Sequence, residues 1–123
     1  MATEWVLDAS IAAKLIVTEP DSERTRDFLD GLDADLIAPS LLRYEVGNAV
    51  TKRGPFERLE AIIEGTLAAV LAVDPVDVTS HCGPLSYYDA AYLALAVERK
   101  AGLLTADEKL RKAAKKLGIE VGP

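Results

Sequence analysis

Residues 86–96 read SYYDAAYLALA, and they predict a buried helix at the centre of the protein. Ser86 is a favourable N-cap, and alanine and leucine fill most of the later positions. The helix is apolar on nearly every side, which is typical of a central helix rather than a surface helix. Asp89 is the one carboxylate in the stretch. It either completes a capping box with Ser86 or belongs to a functional site.

Short apolar strands and helices alternate on both sides of this stretch, which predicts a parallel α/β fold with a sheet flanked by helices. The predicted strands are residues 4–7, 36–38, 76–79, 103–104 and 119–121. The predicted helices are residues 11–17, 22–32, 41–53, 56–73 and 86–100, with a last helix that begins at residues 105–108. A chain of 123 residues suits one domain, residues 1–123, better than two.

The composition, half apolar and 28% charged, is that of a soluble globular protein. No apolar run is long enough to span a membrane and the N-terminus lacks a basic signal-peptide lead, so we expect a cytoplasmic protein without a membrane partner. His81 and Cys82 are the only residues of their types. This excludes an internal disulfide and a thiolate metal cluster, and it excludes Ser-His-Asp or Cys-His catalysis unless His81 serves.

Four carboxylates fall at matching ends of separate predicted elements. Asp8 ends the first strand, and Asp107 follows the strand at residues 103–104. Glu45 and Asp89 lie in the first turns of two helices that must cover the sheet. Because functional groups of parallel α/β sheets gather beyond the carboxyl ends of the strands, we expect the four acids to share one pocket.

Each acid also has a purely structural explanation. Glu45 lies on the apolar stripe of its helix, so it needs a partner, and Arg43 or Arg53 could form an ion pair with it. Asp107 lies in the first turn of the last helix, beside a Thr105/Glu108 capping box.

If the four acids do converge, they repel one another unless cations compensate them. An all-oxygen site selects Mg²⁺ or Mn²⁺, and a metal-activated water is then the available nucleophile for hydrolysing a phosphodiester. Ser10 and Thr105 stand two residues from Asp8 and Asp107, where their hydroxyls either orient the site or cap helices.

Four motifs together resemble the PIN-domain ribonucleases, and within them the VapC-type toxins of toxin–antitoxin pairs. They run in the family's order over nearly the whole chain: LDAS at residues 7–10, PSLLRYEV at 39–46, YDAAYLALA at 88–96 and LTADEKL at 104–110. The resemblance implies a PIN-like domain with a short parallel sheet between helices. It also implies Mg²⁺- or Mn²⁺-dependent RNA cleavage, homodimerisation and inhibition by a VapB-like antitoxin. Asp8, Glu45, Asp89 and Asp107 would be the metal ligands, assisted by Ser10 and Thr105.

The net charge is −6, but residues 99–123 carry a local net charge of +4. Because phosphate contacts supply most of the affinity for RNA, basic residues are candidates for binding it: Lys14, Arg43, Lys109, Lys112 and Lys116. Lysines on the last helix equally suit a solvated face that complements the helix dipole. Two further functions stay open, a housekeeping PIN nuclease in RNA processing or quality control and a non-catalytic acidic module that binds metal or a partner.

Overall fold

The computed structural model describes residues 2–54 and 56–122. These residues form four strands and six α-helices, in this order: β1 Glu4–Leu7, α1 Ala9–Lys14, α2 Ser22–Asp30, β2 Asp35–Ala38, α3 Leu42–Thr51, α4 Leu59–Leu67, β3 Val70–Ala72, α5 Tyr87–Arg99, β4 Gly102–Leu104 and α6 Glu108–Lys116. A short 3₁₀ turn at Thr79–His81 precedes α5.

The four strands are parallel and lie in the order β3-β2-β1-β4. The chain therefore starts at an inner strand, moves outward through β2 and β3, and then returns to the other side of β1. The strand order reverses between β1 and β4, where Leu7 is in register with Leu104. In open parallel sheets this reversal opens a crevice beyond the carboxyl ends of the strands. The predicted parallel α/β fold, with helices flanking the sheet, is confirmed.

The predicted central helix is also confirmed. In α5, every residue from position 90 to 96 is buried, and the helix packs against β1, β4 and α6. Tyr92 is the largest fully buried side chain among the described residues. On another side of the molecule α1 packs against α3. Because α3 and α5 are both anchored in the core, the acids in their first turns have fixed positions.

Two predicted elements in the middle of the chain are wrong. The helix expected over residues 56–73 begins at Leu59 and ends at Leu67, and the third strand is Val70–Ala72 rather than residues 76–79. The N–H groups of Val76 and Asp77 do not pair with a strand, because both donate to the Glu98 carboxylate at 3.0 Å. Pro55, at the predicted start of that helix, lies outside the described residues.

The strand expected at residues 119–121 is reduced to a single bridge. Val121 pairs with Leu103 in parallel, and the Leu103 N–H donates to the Glu120 carbonyl at 2.9 Å. The segment thus covers the outer edge of β4. No helix among the described residues is long and apolar enough to cross a membrane.

Candidate active site

Asp8 is the first residue after β1, and it is 95% buried. It acts as the N-cap of α1: its Oδ1 accepts hydrogen bonds from the N–H groups of Ser10, at 2.8 Å, and Ile11, at 3.3 Å. The Ser10 hydroxyl donates to the same oxygen at 2.5 Å. The other oxygen, Oδ2, accepts from the Thr105 hydroxyl at 2.6 Å. The side chain is therefore held in one orientation from both sides.

Two hydroxyls connect the ends of β1 and β4 around this carboxylate. The Thr105 hydroxyl also accepts the N–H of Asp107 at 3.1 Å, and the Ser10 hydroxyl accepts the N–H of Ala106 at 2.9 Å. Ser10 and Thr105 thus orient Asp8 while fixing the loop that follows β4. Neither is a helix cap, because Asp8 and Asp107 occupy the N-cap positions of α1 and α6.

Glu45, in the first turn of α3, is half-buried and paired with a residue of α5. Its Oε1 accepts a hydrogen bond from the Tyr92 hydroxyl at 2.7 Å. The predicted alternative, an ion pair of Glu45 with Arg43 or Arg53, does not form. Arg43 instead contacts Glu60 and Glu64 of α4, and Arg53 contacts Glu19.

Asp89 lies in the first turn of α5, where only half of the predicted capping box is present. The Asp89 N–H donates to the Ser86 hydroxyl at 3.1 Å. Among the described residues, no hydrogen bond runs from the Ser86 N–H to the Asp89 carboxylate, so the acid does not complete the box.

Asp107 caps the N-terminus of α6, a role that the sequence analysis gave to Thr105 and Glu108. Its Oδ1 accepts the N–H of Leu110 at 3.0 Å, which makes Asp107 the N-cap of α6. The predicted Thr105/Glu108 capping box is therefore wrong. The charge of its carboxylate also acts on Asp89, where it raises the pKa of the carboxyl.

The electrostatics of the cluster are those of like charges held together at the edge of a core. Burial raises the pKa of the Asp8 carboxyl, although its four hydrogen-bond donors oppose the shift. Burial also raises the pKa of Glu45, and the charges of Asp89 and Asp8 add to the rise while the Tyr92 hydroxyl opposes it. For Asp89, burial and then the charge of Asp107 raise the pKa, whereas Ser86 and Lys109 lower it. The charges therefore act in three neighbouring pairs: Asp8 with Glu45, Glu45 with Asp89, and Asp89 with Asp107.

The chemistry of this donor set suits a hard divalent cation, since it consists of carboxylate and hydroxyl oxygens. The acids lie near one another, but their oxygens are not arranged around a common point as metal ligands would be. Over residues 2–54 and 56–122, no three His, Cys, Asp or Glu side chains converge closely enough to hold a metal ion.

The predicted RNA-binding residues fall in three places. Lys109, Lys112 and Lys116 are exposed on α6 and line a groove of about 450 Å³ against residues 80–85. Lys14 lies beside the acids, but it is mostly buried and forms an ion pair with Asp21. Arg43 forms ion pairs with Glu60 and Glu64 of α4, which are not among the four predicted site acids.

One residue of the site was not predicted from the sequence. Tyr92 is 99% buried, and burial together with the neighbouring Glu45 carboxylate raises the pKa of its phenol, so the hydroxyl keeps its proton and donates a hydrogen bond to Glu45. A signal for it existed: a tyrosine among alanines and leucines in a buried helix needs a polar partner for its hydroxyl.

The fold and the acids together define the class of protein. The sequence matches the PIN domain family over residues 5–116, which is most of the chain, and the protein belongs to that family. The predicted family is thereby confirmed. No curated protein matches the sequence.

Solved structures share the fold at low sequence identity. PAE2754 from Pyrobaculum aerophilum has a TM-score of 0.71 and 23% identity, over 98% of this chain and 85% of that chain. VapBC2 from Rickettsia felis, solved with a DNA fragment from its promoter, has a TM-score of 0.70 and 17% identity over 97% of both chains. FitAB bound to an IR36 DNA fragment has a TM-score of 0.64 and 17% identity, over 96% of this chain and 93% of that chain. At these identities the likeness concerns the fold alone.

Proposed function

We propose that this protein is a metal-dependent endoribonuclease that acts as the toxin of a VapBC-type toxin–antitoxin system. The proposal is supported by the placement of four acids: Asp8 and Asp107 follow β1 and β4, and Glu45 and Asp89 lie in the first turns of α3 and α5, where neighbouring members of the set act on one another's charge. The carboxyls of Asp8, Glu45 and Asp89 have raised pKa values because burial and like charges act on them. Groups perturbed in this way and gathered in a cleft are typical of functional sites.

The four carboxylates are the residues that would hold Mg²⁺ or Mn²⁺, directly or through water. Such a cation would compensate the repulsion among them and activate a water molecule for attack on a phosphodiester. The chain's own contribution is to hold the oxygens in place. Ser10 and Thr105 orient Asp8, and the Tyr92 hydroxyl orients Glu45. Prior orientation of this kind removes an entropic cost from the reaction.

RNA would reach the acids along the lysine groove, formed by Lys109, Lys112 and Lys116 with residues 80–85. The groove begins near the site, since the charge of Lys109 lowers the pKa of Asp89. Its three ammonium groups supply the phosphate contacts that an acidic protein otherwise lacks.

An antitoxin partner and a homodimer belong to the same proposal. The fold is shared with VapBC2 and FitAB, whose names denote two-component assemblies. A cluster of acids is also a favourable place for an arginine or lysine of an inhibitor, because charge-assisted hydrogen bonds form there. A VapB-like protein that inserts a basic side chain would thus compete with the metal.

The test is a cleavage assay on a pool of labelled RNAs with Mg²⁺, with Mn²⁺ and with EDTA. We expect cuts that require a metal and that disappear in Asp8→Asn. Lys115→Gln is the matched control, because Lys115 is exposed on α6 but lies outside the lysine groove, and it should cut like the wild type. Cuts that persist in EDTA or in Asp8→Asn would contradict the proposal. Cuts confined to a few sequences, with growth arrest on expression, would support a toxin over a housekeeping nuclease.

A further inference from the structure

A cavity that shares no lining residue with the lysine groove adjoins the acids. It lies between α1 and α3, has a volume of about 550 Å³, and is lined at one end by Ser10 and Glu45. Because these two residues also belong to the acidic cluster, the cavity and the cluster form one continuous cleft. A chain bound across the acids therefore has to enter this α1–α3 pocket or pass over it.

Small side chains of both helices line part of the α1–α3 pocket. They are Ala9 and Ala13 of α1 and Ala49 of α3, and they stand beside five charged residues of the lining: Lys14, Glu19, Asp21, Glu45 and Arg53. The three alanines leave one apolar surface in a pocket whose other lining residues are mostly polar, and such a lining suits a ligand that joins a flat ring to a charged group. A nucleotide is such a ligand, and RNA-binding proteins commonly seat an unstacked base in a pocket.

Asn48 supplies the polar group that could distinguish one base from another. It is exposed at the pocket, one turn beyond Glu45 on α3, and its side-chain amide makes no hydrogen bond with any other described residue. An amide presents donors and an acceptor in one plane, and it pairs with the edge of a base in two hydrogen bonds.

The far end of the α1–α3 pocket carries two ion pairs. Arg53 contacts Glu19 at 2.7 Å, and Lys14 contacts Asp21. The two cations differ in availability, because the Arg53 side chain is 52% exposed whereas that of Lys14 is 11% exposed. Arg53 follows α3, whose last helical residue is Thr51, and it lies eight positions after Glu45. Its guanidinium can hold Glu19 and a phosphate together, since it has five donors.

From this arrangement we infer that the α1–α3 pocket binds the nucleotide next to the cleaved phosphodiester. Asn48 contacts the edge of its base, and Arg53 contacts the phosphate on its far side. The inference rests on the proposed ribonuclease activity, because it makes the pocket the part of the substrate site that selects the sequence. Lys14, paired with Asp21, serves as a wall of the pocket rather than as a phosphate ligand.

The first arm of the test is independent of cleavage. The wild-type protein is titrated with AMP, GMP, CMP and UMP while amide resonances are followed by NMR. We expect shifts confined to α1 and α3 around Ala13, Asn48 and Ala49, with one nucleotide binding more tightly than the rest. Ala49→Met, which fills the pocket, should abolish these shifts. Shifts that are absent at millimolar nucleotide, or that survive in Ala49→Met, would overturn the inference even if the protein cuts RNA.

The second arm maps the cut sites on a randomised RNA pool. In Asn48→Ala the preference for one base beside the cut should fall about tenfold. Arg53→Gln should raise KM with little change in kcat. Lys52→Gln is the control for charge, because Lys52 is adjacent and exposed but does not line the pocket. An unchanged base preference in Asn48→Ala would overturn the inference. If the wild type cuts no RNA, the proposed function fails, and the first arm alone decides whether nucleotides bind.

Discussion

Asp8 combines two features that rarely occur in one carboxyl group. It accepts four hydrogen bonds, each of which favours the charged form, yet burial still raises the pKa of its carboxyl. Glu45 and Asp89 share the raised pKa, partly because like charges surround them. Without a cation, the charged forms of these three groups therefore lower the stability of the fold.

This gives a prediction for the pH dependence of stability. A carboxyl whose pKa is higher in the folded than in the unfolded chain binds more protons when folded. The free energy of unfolding should then rise as the pH falls from neutral toward the ordinary values, 3.8 for Asp and 4.5 for Glu. Partly exposed acids whose pKa is lowered by a hydrogen bond with a basic side chain, such as Glu4 with Arg99 and Asp21 with Lys14, lose their contribution only below that window.

The measurement is urea denaturation between pH 7.5 and pH 5 in the presence of EDTA. The wild type should gain stability over this range, and Asp8→Asn should gain less because one of the three groups has been removed. Asp33→Asn is the control, since Asp33 is exposed just before β2, at the opposite end of the parallel sheet from Asp8, and it should follow the wild type. A wild-type protein that loses stability as the pH falls to 5 would contradict the raised pKa values.

Tyr92 gives a second prediction at the scale of one atom. Tyr92→Phe removes only the hydroxyl that donates to Glu45, and the ring still fills its place in the core. We expect the free energy of unfolding to fall by about 1–2 kcal/mol, because a hydrogen bond to a charged group is lost. We also expect kcat/KM for RNA to fall, because Glu45 loses its orientation. Tyr88→Phe, on the exposed side of α5, should change neither quantity. Unchanged kcat/KM in Tyr92→Phe would contradict the positioning role.

The residues of the site were predictable to different degrees. The four acids could be predicted because each follows a strand or begins a helix, and those ends are visible in the sequence. The hydrogen bond between Tyr92 and Glu45 could not, because it joins residues of two helices that lie 47 positions apart in the sequence. Asp107 rather than Thr105 caps α6 for a similar reason. The Thr105 hydroxyl donates to Asp8, which is 97 positions away in the sequence.

At the scale of elements, the middle of the chain was the part that the sequence predicted poorly. Residues 56–73 are mostly apolar at helical spacing, yet the helix stops at Leu67 and Val70–Ala72 joins β2. A strand of three residues is too short to show an alternating pattern, so only its tertiary pairing with β2 distinguishes it from helix. The long, mostly apolar α5 was predicted well, because its burial can be inferred from its own sequence without knowing which elements it packs against.

The packing of β4 on β1 gives a prediction for one glycine. A Cβ at Gly102 would lie 2.5 Å from the ring of Trp5, so the close approach of the two strands requires glycine. Gly102→Ala should lower the free energy of unfolding by about 1–3 kcal/mol through overpacking. Gly65→Ala is the matched control in α4, where a Cβ meets nothing within 4 Å, and it should raise stability by about 0.5–1 kcal/mol. Thermal unfolding of both variants checks this, and equal effects of the two would contradict the assigned packing.

At the scale of the whole molecule, an acidic protein presents one basic surface. The net charge is −6, but Lys109, Lys112 and Lys116 line a single groove beside the acids. The proposed path for RNA therefore depends on local rather than overall charge, and salt should weaken binding because phosphate contacts release counterions.

The corresponding prediction concerns affinity. In an Asp89→Asn background, which prevents cleavage, the double variant Lys112→Gln/Lys116→Gln should bind single-stranded RNA more weakly and with a smaller salt dependence. Fluorescence anisotropy at several salt concentrations measures both quantities. Lys115→Gln removes one charge from the same helix outside the groove and should have a smaller effect. Equal losses of affinity from the groove lysines and from Lys115 would mean that the groove is not the binding path.

The central claim is that acids from four separate elements form one cation site. Calorimetric titration of Mn²⁺ into the wild type, Asp8→Asn and Asp89→Asn tests it without any substrate. We predict saturable binding to the wild type that weakens at least about tenfold in each variant, since each loses a charged oxygen ligand. Equal affinity in all three proteins, or no binding to the wild type at millimolar Mn²⁺, would contradict the claim.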